Sequence, residues 1–261
     1  MTIALLAAGM LQAGGFDHSG WDALVKRWVN QIGEVDYGGL AKDRTGLDAY
    51  VQRLEQVSPD NNKADFPSRA HELAYWINAY NALVMKGVVS AYPIKSVRDV
   101  GGGLTFFRRR DYVLGGVRMS LQHLENEIIR KRYKEPRIHF AIVCASISCP
   151  RLAAEAYTGE KLEAQLERAA RQSLREQRML AVDEKANLVS LTSLLNWYKL
   201  DFGDVMAFLR SRASESERKK LEALKNPKIR YYDYDWSIND PGSRARAKAL
   251  HERALVTEAL R

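Results

Sequence analysis

The segment 138–150, IHFAIVCASISCP, contains both cysteines of the chain and one of its five histidines. A cysteine thiolate is the nucleophile of thiol enzymes, and it needs a base or an imidazolium ion to form near neutral pH. The imidazole needs a carboxylate or an amide that orients its ring. Three interpretations are open: a packed core that contains sulfur, a disulfide loop, or the nucleophile of a thiol enzyme.

Spacing within this segment constrains which residues can meet. The run RIHFAIV predicts a strand, on which His139 and Cys144 would point to opposite faces about 16 Å apart unless a bulge or bend shortens the path. The turn ASIS lets Cys149 fold back, and Cys149-Pro150 suits the start of a short helix, where the pKa of a thiol is lowered. His123 or His71 is an alternative base for Cys144.

Composition indicates an ordinary globular protein without a cofactor. The chain has 261 residues, 46% hydrophobic and 28% charged, and can bury a core without disulfides. Its longest apolar runs are too short for a transmembrane span. The triple glycine 101–103 fits neither phosphate-binding pattern. Two cysteines are too few for a zinc site. We therefore predict no metal and no cofactor.

The net charge of +8 is modest. Aromatic residues are not interleaved with basic ones, as a groove that stacks bases would require, so nucleic acid is disfavoured as a partner. The expected ligand is a small molecule or a peptide of unknown identity.

The chain divides into three parts. Residues 1–15 resemble the apolar region and cleavage zone of a secretory signal but lack a basic start. They are a signal whose start lies upstream, a truncated signal, or a docked helix. The first two predict a periplasmic or secreted protein and the third a cytoplasmic one. Residues 16–240 form one domain, and 241–261 a helix-prone C-terminal extension.

The domain is predicted to be α+β, with helices around a small antiparallel sheet. Apolar spacing predicts helices over 18–37 (with Ile32 on the buried face) and 45–58, and a long buried helix over 68–93 that ends near Gly87 or Tyr92-Pro93. Gly115-Gly116 predicts a hairpin turn, followed by a helix capped by Ser120. A second hairpin is predicted over 179–191, a helix over 192–213, and a final strand or loop over 229–240.

Five motifs occur in an order that resembles the family catalogued as domain of unknown function 547: AYWINAYNAL, SLQHLENEIIR, PRIHFAIVCASISCPRL, NWYKLDFG and YDWSIND. The resemblance runs from about Trp21 to Asp240. It implies a fold related to papain-like and transglutaminase-like cysteine proteins.

The resemblance also implies a Glu-His-Cys set of Glu125, His139 and Cys144. Looser members of the family often have serine in place of the second cysteine, which favours Cys144 over Cys149 as the nucleophile. Around this set, Asn78, Asn81, Arg130 and His123 are candidates to line a pocket.

Ordinary structural roles compete with each assignment. Cys144 at the end of an apolar run suits a core cysteine, and His139 a hydrogen-bonded buried histidine. Asn78 and Asn81 on a buried helix suit amides with backbone partners. Glu125 and Arg130 suit a solvated charged face.

Two functions follow. The first is a thiol hydrolase or acyl transferase that acts on an amide or thioester, with a Cys nucleophile, a His base and a Glu orienter. The second is a non-catalytic module that retains the fold and binds a ligand or partner. We also predict that both cysteines stay as thiols in the folded protein, because a bridge would silence the nucleophile.

Overall fold

A computed structural model of the protein describes residues 15–243. Almost all of the predicted N-terminal segment 1–15 and of the C-terminal extension 241–261 therefore lies outside the described residues. The described part is mixed α+β, with mostly helix and small sheets, which confirms the predicted class.

Three helices precede the long one: α1 (Ser19–Trp28), α2 (Tyr37–Lys42) and α3 (Thr45–Gln56). The predicted extension of α1 through Ile32 is wrong, and Ile32 is 39% exposed. The Asn30 side chain accepts hydrogen bonds from the amides of Ile32 and Glu34, and Gly33 adopts a φ of 76°. This turn ends the helix early, because the amides of Ile32 and Glu34 donate to the Asn30 side chain and not to helix carbonyls, and Gly33 is left-handed.

Helix α4 (Arg69–Ala91) is the centre of the larger core and is buried at every position from Leu73 to Met85. It ends before Tyr92-Pro93 and continues through Gly87. A Cβ at Gly87 would lie 2.6 Å from the Tyr112 hydroxyl, so only glycine lets the following hairpin approach. Within residues 15–243, no helix has both the length and the apolar character that a bilayer crossing requires.

A short helix and a hairpin follow: α5 (Thr105–Arg108), β1 (Asp111–Leu114) and β2 (Val117–Ser120). The predicted turn at Gly115-Gly116 is confirmed, with φ values of 55° and 82°. The Ser120 hydroxyl accepts a hydrogen bond from the His123 amide, as predicted for a helix cap. The helix comprises α6 (Leu121–His123), a π-helical stretch (Leu124–Arg130) and α7 (Lys131–Tyr133).

The predicted strand RIHFAIV is wrong. The chain forms a 3-10 helix, Pro136–Phe140, and then a series of buried turns. Pro136 suits the first turn of a helix, and the Glu135 carboxylate accepts a hydrogen bond from the Arg137 amide. The β-branched residues Ile138, Ile142 and Val143 are instead buried in the larger core. The extended path of about 16 Å between His139 and Cys144 therefore does not apply, since a 3-10 helix rises only about 2 Å per residue.

The C-terminal part has its own smaller core. Its elements are α8 (Leu162–Leu174), β3 (Leu180–Asp183), β4 (Leu188–Leu191), α9 (Leu194–Trp197), α10 (Lys199–Phe202), α11 (Val205–Arg212), α12 (Glu215–Ala223) and β5 (Lys228–Tyr231).

The hairpin β3–β4 is confirmed, but a single antiparallel sheet is not. The hairpin β1–β2 stands apart, and β5 pairs with β4 in parallel. The reason is the crossover: four short helices lie between β4 and β5, and such a connection returns the chain in the same direction.

Candidate functional site

The imidazole of His139 is buried, 3% exposed, and points toward α10. Its Nε2 lies 2.7 Å from Oδ2 of Asp201. A proton on Nε2 makes this atom the donor, which leaves Nδ1 as the basic nitrogen of the neutral ring. The carboxylate that orients His139 is therefore Asp201.

Arg130 binds the same carboxylate with two hydrogen bonds, Nε to Oδ2 at 2.6 Å and Nη2 to Oδ1 at 2.9 Å. The hydrogen bond from His139 and the bonds and charge of Arg130 hold the pKa of Asp201 well below its ordinary value, although burial opposes this. The hydrogen bonds to Asp201 raise the pKa of Arg130. His139, Asp201 and Arg130 thus form a charged unit, which we call the imidazole cluster.

Glu125 binds two tyrosines. Its carboxylate accepts a hydrogen bond of 2.6 Å from the Tyr198 hydroxyl and one of 3.1 Å from the Tyr80 hydroxyl. Burial, and then the charge of Glu125, raises the pKa of both phenols, so they stay protonated and donate. The ring of Tyr198 stacks on His139, with centroids 3.9 Å apart. Glu125 therefore reaches His139 through a tyrosine ring.

The two cysteines form a second unit. The Cys144 amide donates a hydrogen bond of 2.9 Å to Sγ of Cys149. The Tyr234 hydroxyl lies 3.1 Å from Sγ of Cys149 and 3.2 Å from Sγ of Cys144. Ser146 Oγ lies 3.1 Å from Sγ of Cys144. No disulfide joins the sulfurs. We call this pair, with Tyr234, the dithiol cluster.

Ionisation is divided unequally between the two sulfurs. Burial is the largest influence on Cys149 and opposes ionisation. Hydrogen bonds from the Cys144 thiol, the Tyr234 hydroxyl and the Cys144 amide outweigh it and lower the pKa of Cys149 to about 6. Burial, and then the hydrogen bond and charge of Cys149, raises the pKa of Cys144 well above its ordinary value. Of the two thiols, Cys149 is therefore the one that ionises first.

The predicted helix start at Cys149-Pro150 is wrong, because the chain there is irregular. The donors that favour the Cys149 thiolate are instead the Cys144 amide and the Tyr234 hydroxyl. A tight turn brings them together: the Cys149 amide donates to the Ser146 carbonyl at 3.2 Å, and Ala145 adopts a left-handed φ of 62°. Such a φ is strained for alanine and is found at positions that the surrounding structure determines.

Asn81 holds the segment between the two clusters. Its Nδ2 donates to the Ala141 carbonyl and its Oδ1 accepts from the Val143 amide, each at 2.9 Å. Asn78 binds the backbone of Tyr157 in the same two-sided way. Both amides are buried in the core with backbone partners. Their structural role is to fix loops, and Asn81 fixes the loop that leads to Cys144.

The other pocket candidates lie at the surface. Arg130 and His123 line an open cavity of about 1020 Å³ together with Asp201. His71 hydrogen-bonds Ser68 and Glu160, each at 2.8 Å, and lines a different cavity of about 440 Å³. Neither cavity is lined by a cysteine.

The dithiol cluster has its own exposed side. Cys144 is half-buried, whereas Cys149 is 3% exposed. Next to it, the ring of Trp197 contacts Tyr234 at a centroid distance of 4.7 Å and stacks on Trp236 at 6.0 Å. Trp197 is 48% exposed. A molecule that reaches Cys144 therefore finds an aromatic surface close by.

The residues that the sequence prediction missed are Asp201, Tyr198, Tyr80 and Tyr234. Each lies inside one of the five motifs: Tyr80 in AYWINAYNAL, Tyr198 and Asp201 in NWYKLDFG, and Tyr234 in YDWSIND. The motifs thus contained the signal. The prediction considered only histidine, cysteine and glutamate as catalytic residue types, and it therefore missed the three tyrosines and the aspartate.

Residues 65–174 match the family model described as "Protein of unknown function, DUF547". The resemblance to that family is confirmed over this range. The range contains Glu125, His139 and both cysteines, and ends before Asp201 and Tyr234. No curated protein and no solved structure matches the chain.

Proposed function

We propose that the protein is a thiol hydrolase or acyl transferase that acts on an amide or thioester, with Cys144 as the attacking residue. The observation that carries this proposal is the dithiol cluster, in which two hydrogen-bonded sulfurs share the hydroxyl of Tyr234. A thiolate stabilised by neutral donors near neutral pH is the nucleophilic form of cysteine.

The different exposure of the two cysteines suggests a separate role for each in catalysis. Cys144 is the more exposed, and its thiol hydrogen-bonds the ionised Cys149. As Cys144 Sγ bonds to the substrate carbonyl carbon, its proton passes to Cys149. Cys149 then returns the proton to the leaving amine or thiolate as the carbon–leaving-group bond breaks. Water or an acceptor nucleophile releases the acyl group from Cys144.

His139 was predicted as the base and Glu125 as its orienter, and both roles stay predictions. The contacts support Asp201 as the residue that orients His139, and Tyr80 and Tyr198 as the partners of Glu125. We propose that His139 acts on the site through the stacked ring of Tyr198. A relation to papain-like and transglutaminase-like proteins is part of this proposal and is supported by the motif resemblance.

The contacts of His139 also favour the alternative, a non-catalytic binding module. In the described part of the chain, the hydrogen-bond partner of its ring is Asp201 rather than a sulfur. In this alternative the half-exposed Trp197, which contacts Tyr234, is the contact surface for a ligand.

Alkylation with iodoacetamide tests the proposal. We expect Cys144 to be labelled in the folded protein, with a pH midpoint below about 8.5, the value of an unperturbed thiol. Cys149→Ser should move this midpoint upward, because the proton acceptor is lost. Cys144→Ser should abolish rapid labelling. If both cysteines are labelled only after denaturation, the enzyme proposal is wrong.

Two alanine variants separate the two functions. Cys144→Ala and His139→Ala should abolish acyl transfer from a thioester probe while the melting temperature shows that the fold persists. A binding module predicts that both variants retain their ligand. If the variants stay folded and still transfer the acyl group from the thioester probe as the wild type does, the catalytic proposal is wrong.

A further inference from the structure

We propose that Cys144 and Cys149 are a site of reversible oxidation, at which hydrogen peroxide or an organic hydroperoxide converts the two thiols into a disulfide. The proposal concerns the same sulfurs as the proposed acyl transfer. It does not depend on whether they attack an acyl group, and it concerns the response of the reduced, unbridged pair to an oxidant.

The first argument is proximity. Both sulfurs contact one oxygen atom, the Tyr234 hydroxyl, and the Cys144 amide contacts Sγ of Cys149 directly. Two sulfurs within hydrogen-bonding distance of one atom are neighbours, and the thiols also hydrogen-bond each other. The turn at Ser146–Cys149 has already folded the chain back. A bridge therefore needs a local adjustment of two side chains and no rearrangement of an element.

The second argument is the different exposure of the two sulfurs. Cys144 is half-buried, whereas Cys149 is almost completely buried. Sensor cysteines of this kind pair an accessible thiol with a second, resolving thiol. The buried partner intercepts the first oxidation product before a second equivalent of peroxide can act.

The reaction balances in two steps. With its proton passed to Cys149, Sγ of Cys144 attacks one peroxide oxygen. The O–O bond breaks, and the leaving hydroxide (an alkoxide from an organic hydroperoxide) takes the proton from Cys149 to become water (or an alcohol), which leaves a sulfenic acid on Cys144. Sγ of Cys149 then bonds to Sγ of Cys144 and expels hydroxide, which is protonated to a second water. The sulfurs lose two electrons and the peroxide gains two.

The third argument is that the bridge closes only a small ring. Such a bridge lowers the entropy of the unfolded chain less than a bridge that closes a long loop. We therefore expect the oxidised and reduced proteins to differ little in stability, and the bridge to be readily reduced. The oxidation blocks the thiols and protects them from further oxidation, and it does not stabilise the fold.

Mass spectrometry with alkylation tests the proposal. The reduced protein is treated with one equivalent of hydrogen peroxide, quenched with catalase, and denatured in N-ethylmaleimide without reductant. We expect a monomer that has lost two hydrogens and carries no label, and that regains two labels after dithiothreitol. Retention of two labels after peroxide treatment, or bridges only between chains, would overturn the proposal.

Variants identify the roles of the two sulfurs. In Cys149→Ser, the sulfenic acid should persist and be trapped by dimedone at Cys144. In Tyr234→Phe, bridge formation should slow by about tenfold, because one hydrogen bond to the ionised pair is lost. Circular dichroism checks that each variant is folded. If the bridge forms but no thioester is hydrolysed, the acyl transfer proposal is wrong and the oxidation proposal stands. If a thioester is hydrolysed but no bridge forms, the oxidation proposal is wrong and the acyl transfer proposal stands.

Discussion

The imidazole cluster and the dithiol cluster both stabilise a negative charge, but by different means. Asp201 is stabilised by a full positive charge on Arg130 and by the His139 ring. The ionised sulfur pair is stabilised by a backbone amide and the hydroxyl of Tyr234. A charge paired with a counter-ion is held firmly and is costly to unpair. A charge held by neutral donors keeps a pKa near neutrality and remains reactive.

The largest expected effect is at the residue that holds both clusters in place. Asn81→Leu leaves the Ala141 carbonyl and the Val143 amide buried without their partners. We expect the free energy of unfolding to fall by about 3 kcal/mol, with loss of rapid thiol alkylation. Urea denaturation measures the first and iodoacetamide the second. Gln122→Ala, at an exposed position, is the control and should change neither.

The second prediction concerns the imidazole cluster. Asp201→Asn removes the counter-ion of Arg130, and we expect the free energy of unfolding to fall by about 2 kcal/mol, since both partners are only partly buried. The alkylation rate of Cys144 should change less than about twofold, because neutral donors outside this cluster hold the sulfurs. A large change in that rate would show that the two clusters act as one unit.

The third prediction concerns pH, and the two clusters should respond in different ranges. The lowered pKa of Asp201 contributes stability that is fully present above the unfolded value near about 3.9 and is lost as the pH falls through the lower folded value.

For the sulfurs, a Cys149 pKa of about 6 means that the folded protein is deprotonated before the unfolded one. Stability should therefore rise from pH 6 to about 8.5, by no more than about 1.4 kcal/mol per pH unit. Above about 8.5 it should fall, because the raised pKa of Cys144 keeps that thiol protonated in the folded state. Urea denaturation across this pH range measures the effect in the wild type and in the Cys144→Ser/Cys149→Ser double variant. The rise and fall that the sulfurs cause should be absent from the double variant.

The smallest expected effect on stability is at Tyr234→Phe. The hydroxyl stabilises the charge on the sulfurs, and we expect a loss of about 1 kcal/mol and a rise of about one unit in the lower pKa of the pair. Thiolate absorbance against pH measures this rise. Tyr231→Phe, an exposed tyrosine on β5, is the matched control. An unchanged titration would mean that Tyr234 does not hold the charge.

The sequence allowed the prediction of elements that local signals determine. Gly115-Gly116 needs left-handed φ values, and Ser120 caps a helix, so both positions were predictable. The apolar stretch from Leu73 to Met85 predicted a buried helix.

The strand predicted over RIHFAIV failed because its β-branched residues are buried in the larger core by tertiary contacts, which the local pattern does not encode. The residues of the site were only partly predictable. His139 and the cysteines were identified by type, whereas Asp201 and Tyr234 come from segments 62 and 85 or more positions away. Their approach depends on tertiary packing.

The parallel pairing of β4 and β5 has a consequence for the order of assembly. Asp201 lies in the crossover between these strands, and Tyr234 follows β5. During synthesis from the N-terminus, both cysteines are made before either residue, and contacts between distant residues form slowly. We expect the nascent chain to expose two ordinary thiols until β5 docks. The reactive form of the pair would then arise only after β5 and Tyr234 have been synthesised, so that shorter nascent chains carry unreactive thiols.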